Sequence, residues 1–455
     1  MNLEGKKVLV VGLGRTGEAL AHFLLQRGST VKISDKKNEE DLGEKVYFWK
    51  EKGVRVETGG HNLQSFLEAD LIVPSPGVPL IAEIEAAREK GVKILSEIEL
   101  AFQFLKGKIV GITGTNGKST TATLTYKILK EGGLNVFLAG NIGTPLISFV
   151  DKSQATDIYV TEISSFQLEY IDKFKVPISV LLNISLDHLD WHPSFSSYYE
   201  TKKKLILLQQ KEDMAILNRD DPLVWTLSRE GKPRIYGFSR KRKPRRGSFV
   251  KDSWIFLRDE REERLMSISE IPLPGEHNQE NIMAAALVGH LLGVSPLGIR
   301  ESIKSFKGLE HRLEKVSTVN GIDFVNDSKA TNIDATLKAI QSFKQRIILI
   351  LGGRNKGDDF RKLRKRVKER VKKVILLGEA KEKIKDALKG TVPMAVASSL
   401  KEAVSIGFSE ASSGEIVLLA PACTSFDMFK DFEERGHIFK QEVLALEKNS
   451  RGEKA

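Results

Sequence analysis

Short apolar runs, each closed by glycine, proline or a polar cluster, alternate along the chain with stretches whose apolar positions recur every three or four residues. Lys6–Val11 is the first such run. A helical pattern follows through Gln26, and Thr30–Ser34 is the next run. Leu71–Val73 is another, ending in Pro74-Ser75-Pro76-Gly77. Apolar strands separated by amphipathic helices predict βαβ units on a parallel sheet. This first set closes near Ser96.

Lys108–Ile112 begins a second set, with a helix predicted over Thr120–Gly132 and strands at Ile158–Glu162 and Ile178–Ile184. A third begins after Arg312, with strands at Ile322–Asn326, Arg346–Leu351, Val374–Leu377 and Ile416–Ala420. The pattern predicts three α/β domains of about 100, 210 and 150 residues. Between the second and third sets, 231–275 is rich in glycine, proline and charge. Its segment Ser239-Arg240-Lys241-Arg242-Lys243-Pro244-Arg245-Arg246 is the densest basic run. Lacking the interleaved aromatics of a nucleic-acid patch, it predicts a solvated loop or hairpin tip.

Composition narrows the picture. The 455 residues are 41% hydrophobic, which excludes a wholly disordered or fibrous chain. The net charge of +11 favours anionic partners. A single cysteine, Cys423, excludes a disulfide framework and a multi-cysteine zinc site, and fits a small packing residue in a reducing cytoplasm. No apolar run is long enough to span a bilayer, and no cleavage site follows the N-terminus, so neither membrane insertion nor a signal peptide is expected.

Two glycine loops carry candidate chemistry. Gly12-Leu13-Gly14-Arg15-Thr16-Gly17 lies between a strand and a helix, and Asp35 ends the next strand. Such glycines let the backbone approach a diphosphate, while the carboxylate can bind a ribose hydroxyl; NAD and a UDP-sugar both suit the geometry. Gly111-Ile112-Thr113-Gly114-Thr115-Asn116-Gly117-Lys118-Ser119-Thr120 departs from the strict P-loop pattern, its leading glycine standing one place early. The amides of Gly114–Lys118 can still cradle phosphates. Lys118 can reach the β/γ oxygens, and the Ser119 or Thr120 hydroxyl can ligate Mg²⁺. A dehydrogenase needs the first loop and not the second; a simple P-loop ATPase needs the second and not the first. Glu162 and Asp187-His188 follow at strand ends, where metal or phosphate ligands sit. Asn326–Asn332, Gly352–Gly357 and Pro421–Asp427 would meet on the carboxyl edge of the third sheet, with lysines and hydroxyls suited to a carboxylate ligand.

These motifs, with Gly140-Asn141-Ile142-Gly143, Gly275–Asn278 through Asn281, His311-Arg312 and Pro421–Phe432, resemble the Mur ligase family over nearly the whole chain. These are ATP-dependent amide-bond-forming enzymes of peptidoglycan synthesis. The intact Asn326–Asn332 block, the single Gly12-Leu13-Gly14 and the absence of an Asp-Asn-Pro-Arg block resemble the member that adds D-glutamate to UDP-N-acetylmuramoyl-L-alanine. The resemblance implies an α/β protein with a Rossmann-like UDP-substrate domain at 1–97, a central P-loop ATPase-like domain at 98–308 and a Rossmann-like amino-acid-binding domain at 309–455.

It also implies roles. Gly14, Arg15, Thr16, Asp35, Lys36, Ser75 and Asn141 would hold the UDP substrate. Gly114 through Thr120, with Asn278, Asn281, Arg312 and Asp327, would hold ATP. Ser119, Glu162, His188 and a carbamylated Lys203, with Lys202 the alternative by a one-residue slip, would serve two Mg²⁺ ions. Lys329 would stabilise an acyl phosphate, and Thr331, Lys356, Ser425 and Phe432 would frame D-glutamate. A cytoplasmic monomer without nucleic-acid partners is expected.

Overall fold

The computed structural model describes residues 1–187 and 191–450. It contains three sheets. The first joins β1 (Lys7–Val11), β2 (Thr30–Ser34), β3 (Arg55–Glu57), β4 (Leu71–Pro74) and β5 (Lys93–Ile94), all parallel, in the order β3-β2-β1-β4-β5. The strand order reverses between β1 and β4, and the crevice at such a switch point is where open α/β sheets bind ligands.

The second sheet holds nine strands: β6 (Lys108–Thr113), β7 (Val136–Gly140), β8 (Ile158–Glu162), β9 (Ile178–Leu181), β10 (Met214–Asn218), β11 (Arg234–Ser239), β12 (Gly247–Lys251), β13 (Trp254–Arg258) and β14 (Glu262–Ser267). Their order is β14-β13-β12-β11-β10-β9-β6-β8-β7. The strands from β6 to β12 pair in parallel, and β13 and β14 close the edge antiparallel. The charged composition of 231–275 hides four strands. The basic segment joins parallel β11 to β12 and is not a hairpin tip.

The third sheet holds β15 (Glu314–Val319), β16 (Ile322–Asn326), β17 (Ile347–Gly352), β18 (Val371–Leu377), β19 (Met394–Val396) and β20 (Ile416–Leu419). Its order is β15-β16-β20-β17-β18-β19, parallel except for the edge strand β15. Strand β17 shows no polar alternation because both its faces are covered. Ile347–Leu351 are each at most 1% exposed, and each such burial contributes roughly 1.5–3 kcal/mol.

The described residues form two compact units. One takes Met1–Ile184, Trp191–Ile268 and Glu280–Ile303. The other takes Ser185–Asp190, Ser269–Gln279 and Lys304–Ala455. The first unit therefore contains two sheets, locked by buried carboxylates on the helix Glu97–Phe102. Glu99 Oε2 accepts the amides of Asp172, Lys173 and Phe174 at 2.9, 2.9 and 2.7 Å. Glu97 Oε1 accepts the Ile147 amide at 2.7 Å.

Burial raises the Glu97 pKa from 4.5 to about 7. The protonated form is thus favoured by folding, and its contribution is present below pH 4.5 and lost as pH rises through 7. Glu97→Gln keeps an acceptor and cannot ionise. It is expected to stabilise the fold relative to the parent by roughly 1–3 kcal/mol at pH 8.5 and not at pH 4.5, seen as a higher melting temperature at the higher pH alone. A difference independent of pH would refute the burial of this carboxyl.

Candidate active site

At the switch point of the first sheet lies a cavity of about 470 Å³. Gly14, Arg15, Thr16, Asp35, Lys36, Ser75 and Asn141, the seven residues expected to hold the UDP substrate, all line it. The helix Arg15–Gln26 starts directly on the glycine loop, so its first amides face the cavity end of β1. A Cβ on Gly17 would run into the Gly12 carbonyl, which is why this close turn takes glycine. Asp35 differs in detail from the expectation. Its Oδ2 accepts the Leu13 amide at 2.6 Å and its Oδ1 the Lys37 amide at 2.9 Å, so it first shapes the loop. Each oxygen retains a lone pair for a hydroxyl.

The second glycine loop connects β6 to the helix Lys118–Glu131. Thr115 and Asn116, expected to offer amides to phosphate, direct them elsewhere: Thr115 N donates to the Asn183 carbonyl at 2.9 Å and Asn116 N to Asn183 Oδ1 at 2.8 Å. Asn183 Nδ2 returns a bond to the Asn116 carbonyl at 3.0 Å, and Thr115 Oγ1 lies 2.9 Å from the Tyr198 hydroxyl. These bonds hold the loop in shape before any ligand arrives. Gly117 caps the helix with φ 86°, and Asn281 sits where a Cβ would be, so both backbone and packing require glycine there. Lys118 Nζ donates to the carbonyls of Gly114 and Thr115 at 2.9 and 2.8 Å, while Ser119 and Thr120 are buried in the first turn. Asn183 and Tyr198 were not singled out from the sequence, since an Asn or Tyr outside a motif carries no spacing signal.

Glu162 ends β8, the neighbour of β6, and is 2% exposed. Its Oε1 accepts from Asn141 Nδ2 at 2.7 Å. Its Oε2 is buried with no hydrogen-bond partner. A buried carboxylate oxygen left unpaired is costly, and a cation is the natural complement. The residue set therefore fits Mg²⁺. Asn141 also lines the 470 Å³ cavity, so one side chain connects it to this carboxylate. His188 lies outside the described residues.

Of the adjacent lysines, Lys202 and not Lys203 faces the phosphate loop. On the helix Phe195–Leu207, Lys203 points away from the loop, its Nζ 2.9 Å from Glu230 and 3.2 Å from Glu200. The Glu230 carboxylate raises its pKa and so holds it as an ammonium. Lys202 is 1% exposed, and its Nζ donates to Thr113 Oγ1 at 3.2 Å and to the Gly114 carbonyl at 3.1 Å. Helical rotation of about 100° per residue separates the two neighbours.

In the second unit, the three loops at the carboxyl edge of the third sheet do converge. Arg435, 1% exposed, donates Nε to Ser328 Oγ at 2.9 Å, Nη2 to the Ser328 carbonyl at 2.8 Å and Nη1 to the Cys423 carbonyl at 3.2 Å. Arg354 and Thr424 exchange backbone bonds at 3.0 and 3.1 Å, joining the other pair of loops. Lys329 Nζ lies 3.4 Å from the centre of the Phe432 ring. Burial raises the Asp327 carboxyl to about 7, opposed by Arg312. Thr331 and Lys356 are half-buried, and Ser425 is 2% exposed. Asn332 caps the helix Ile333–Gln341 and donates Nδ2 to Asp187 Oδ2 at 3.0 Å. Asn278 donates Nδ2 to the Pro274 carbonyl at 2.7 Å. Asn281 belongs to the first unit, beside Gly117. Cys423 is a buried packing residue, and burial pushes its thiol up to about 12, which disfavours the thiolate. Arg435 escaped the sequence reading because a buried arginine in a helix looks like any surface one.

Family models match three consecutive segments: a Mur ligase MurD-like N-terminal domain over 6–96, a Mur ligase middle domain over 112–289, and a Mur ligase glutamate ligase domain over 311–423. The chain is 47% identical to the UDP-N-acetylmuramoylalanine–D-glutamate ligase of Acidobacterium capsulatum, covering 98% of this chain and 97% of that one. It is 44% identical to the enzyme of the same name from Thermoanaerobacter sp. (strain X514), covering 98% and 100%. Among solved structures, a pseudomurein peptide ligase type C from Methanothermus fervidus aligns with TM-score 0.62 at 20% identity, over 97% of this chain and 100% of that one. The UDP-N-acetylmuramate-alanine ligase of Thermotoga maritima aligns with TM-score 0.59 at 17% identity, over 97% and 100%.

Proposed function

The chain belongs to the Mur ligase family, and we propose that it joins D-glutamate to UDP-N-acetylmuramoyl-L-alanine at the expense of ATP, a step of peptidoglycan precursor synthesis. Full-length likeness to D-glutamate ligases carries the choice of amino acid. The preformed loop around Lys118 supports the use of ATP.

The γ-phosphoryl group passes to the free carboxylate of the L-alanyl substrate, giving an acyl phosphate and ADP. The amine of D-glutamate attacks the acyl carbon, and collapse of the tetrahedral adduct expels phosphate and leaves the amide, the amine losing a proton. Lys118 neutralises charge on the transferring group. Glu162 and a carbamylated Lys202 are the residues that would hold Mg²⁺, with Ser119 and His188; two ions would supply further charge neutralisation on the phosphates. The 1–97 domain holds the UDP end through the 470 Å³ cavity. Residues 98–308 hold ATP, with Asn278, Asn281, Arg312 and Asp327 as further contacts. Residues 309–455 hold D-glutamate through Thr331, Lys356, Ser425 and Phe432, and Lys329 stabilises the acyl phosphate. No helix among the described residues is long and apolar enough to cross a membrane. We place the enzyme in the cytoplasm as a monomer, where ATP and UDP-linked precursors are found.

Phosphate release measured with UDP-N-acetylmuramoyl-L-alanine, ATP and a panel of amino acids tests this. Release is expected to depend on D-glutamate. Equal release without it, or a clear preference for another amino acid, would overturn the assignment.

A further inference from the structure

The proposed reaction assigns no role to the basic segment 239–246, yet hydrogen bonds fix its shape. Asp220 Oδ1 accepts from Ser239 Oγ at 2.6 Å, and its Oδ2 accepts the Arg240 amide at 2.7 Å. Ser239 Oγ in turn accepts the Arg242 amide at 2.7 Å. Arg219 Nη1 donates to the Lys243 carbonyl at 2.7 Å, and Gly237 N to the Arg246 carbonyl at 2.9 Å. Pro244 is buried, packed over Gly237 beside Trp225.

This fixed turn walls a cleft of about 780 Å³ lined by Arg219, Trp225, Lys243, Arg245, Arg246 and Arg258. Five cations thus converge from the end of β10, the turn and β13. Among the described residues two carboxylates answer them: Glu262 lies 2.6 Å from Lys243 and Asp259 lies 3.4 Å from Arg246. The guanidinium groups of Arg245 and Arg258 make no hydrogen bond or ion pair with any described residue. Strand β11 stands three places from β6 in the sheet, roughly 14 Å at the spacing of neighbouring strands, so the cleft is distinct from the phosphate loop.

We propose that this cleft is a second anion site that binds a small ligand with two or more linked phosphates, such as pyrophosphate, tripolyphosphate or the phosphate tail of a nucleotide. Five cations converging on one cleft with two carboxylates to answer them carry an excess of positive charge, with Arg245 on the turn and Arg258 on β13 left for a polyanion to engage. Guanidinium forks match the adjacent oxygens of linked phosphates, and the turn is ordered beforehand, so little entropy is lost on binding. The cleft's dimensions suit a small molecule. It offers no stacking platform for bases: Arg219 already lies over its one aromatic, Trp225, at 5.4 Å.

Titration calorimetry with sodium tripolyphosphate tests the site on the full chain carrying Lys118→Ala, which weakens the phosphate loop. Binding is expected to persist in that protein and to weaken by roughly tenfold or more when Arg245→Ala and Arg258→Ala are added. Arg245→Glu alone, at an exposed position, is expected to weaken it similarly and keeps the test valid should the triple variant melt early. Affinity unchanged by these substitutions, or no binding to the Lys118→Ala protein at low ionic strength, would overturn the proposal. So would a short single-stranded RNA that displaces tripolyphosphate and binds the cleft more tightly.

Discussion

Lys118→Ala is expected to reduce phosphate release by about a hundred- to a thousandfold while leaving the melting temperature close to that of the parent. Both halves follow from the loop. Its shape rests on Asn183, which accepts two amides and returns one bond, on the Thr115–Tyr198 contact, and on Gly117 against Asn281. None of these needs the lysine side chain. Lys118 itself donates to the Gly114 and Thr115 carbonyls, which point its ammonium along the loop. In phosphoryl transfer there is little covalent chemistry for the protein to perform, so a positioned charge in a poorly screened site is the main lever. Lys118→Arg retains charge but changes its reach, and is expected to recover only part of the loss. Turnover of the alanine variant within about tenfold of the parent would show that another group carries the phosphoryl charge.

The sheets were largely legible from apolar runs. Thr30–Ser34, Ile158–Glu162 and Ile322–Asn326 appear with the boundaries their sequences suggest, because their apolar runs are bounded by polar or glycine-rich turns, and Ile158–Glu162 is buried along its whole length. The strands between 231 and 275 were hidden, because a half-exposed antiparallel edge such as Glu262–Ser267 mixes charge with apolar positions. Candidate residues inside a motif, such as Lys118 and Asp35, were legible from glycine spacing. Their partners were not. Asn183, Tyr198 and Arg435 act through contacts with residues 67 to 107 positions away, which no local pattern encodes. Spacing was also a weak guide where three like residues adjoin: at 202–204 it favoured Lys203 over its neighbour, whereas Lys202 is the one that faces the phosphate loop.

Lys202→Ala is expected to be almost inactive and partly rescued by short carboxylic acids, whereas Lys203→Ala is expected to keep most of its activity. The structure supplies a reason that the sequence lacks. Lys118 Nζ and Lys202 Nζ both donate to the Gly114 carbonyl, at 2.9 and 3.1 Å, so two cations share one oxygen in a buried place. Like charges at such separation disfavour one another. Reaction of the neutral Lys202 amine with CO₂, releasing a proton, replaces the second cation by a carbamate anion. That anion would attract Lys118, and its two oxygens would complement Glu162 as ligands for Mg²⁺. Lys203 has no such incentive, because Glu230 and Glu200 already stabilise its ammonium, the form that does not react with CO₂. A carbonyl resonance from ¹³C-bicarbonate should therefore appear in the parent and in Lys203→Ala, and be absent from Lys202→Ala. Rescue of the alanine variant by formate or acetate would separate a missing carboxylate from a collapsed core, since small acids cannot restore packing. Loss of activity and of the resonance in Lys203→Ala, with both retained in Lys202→Ala, would reverse the assignment.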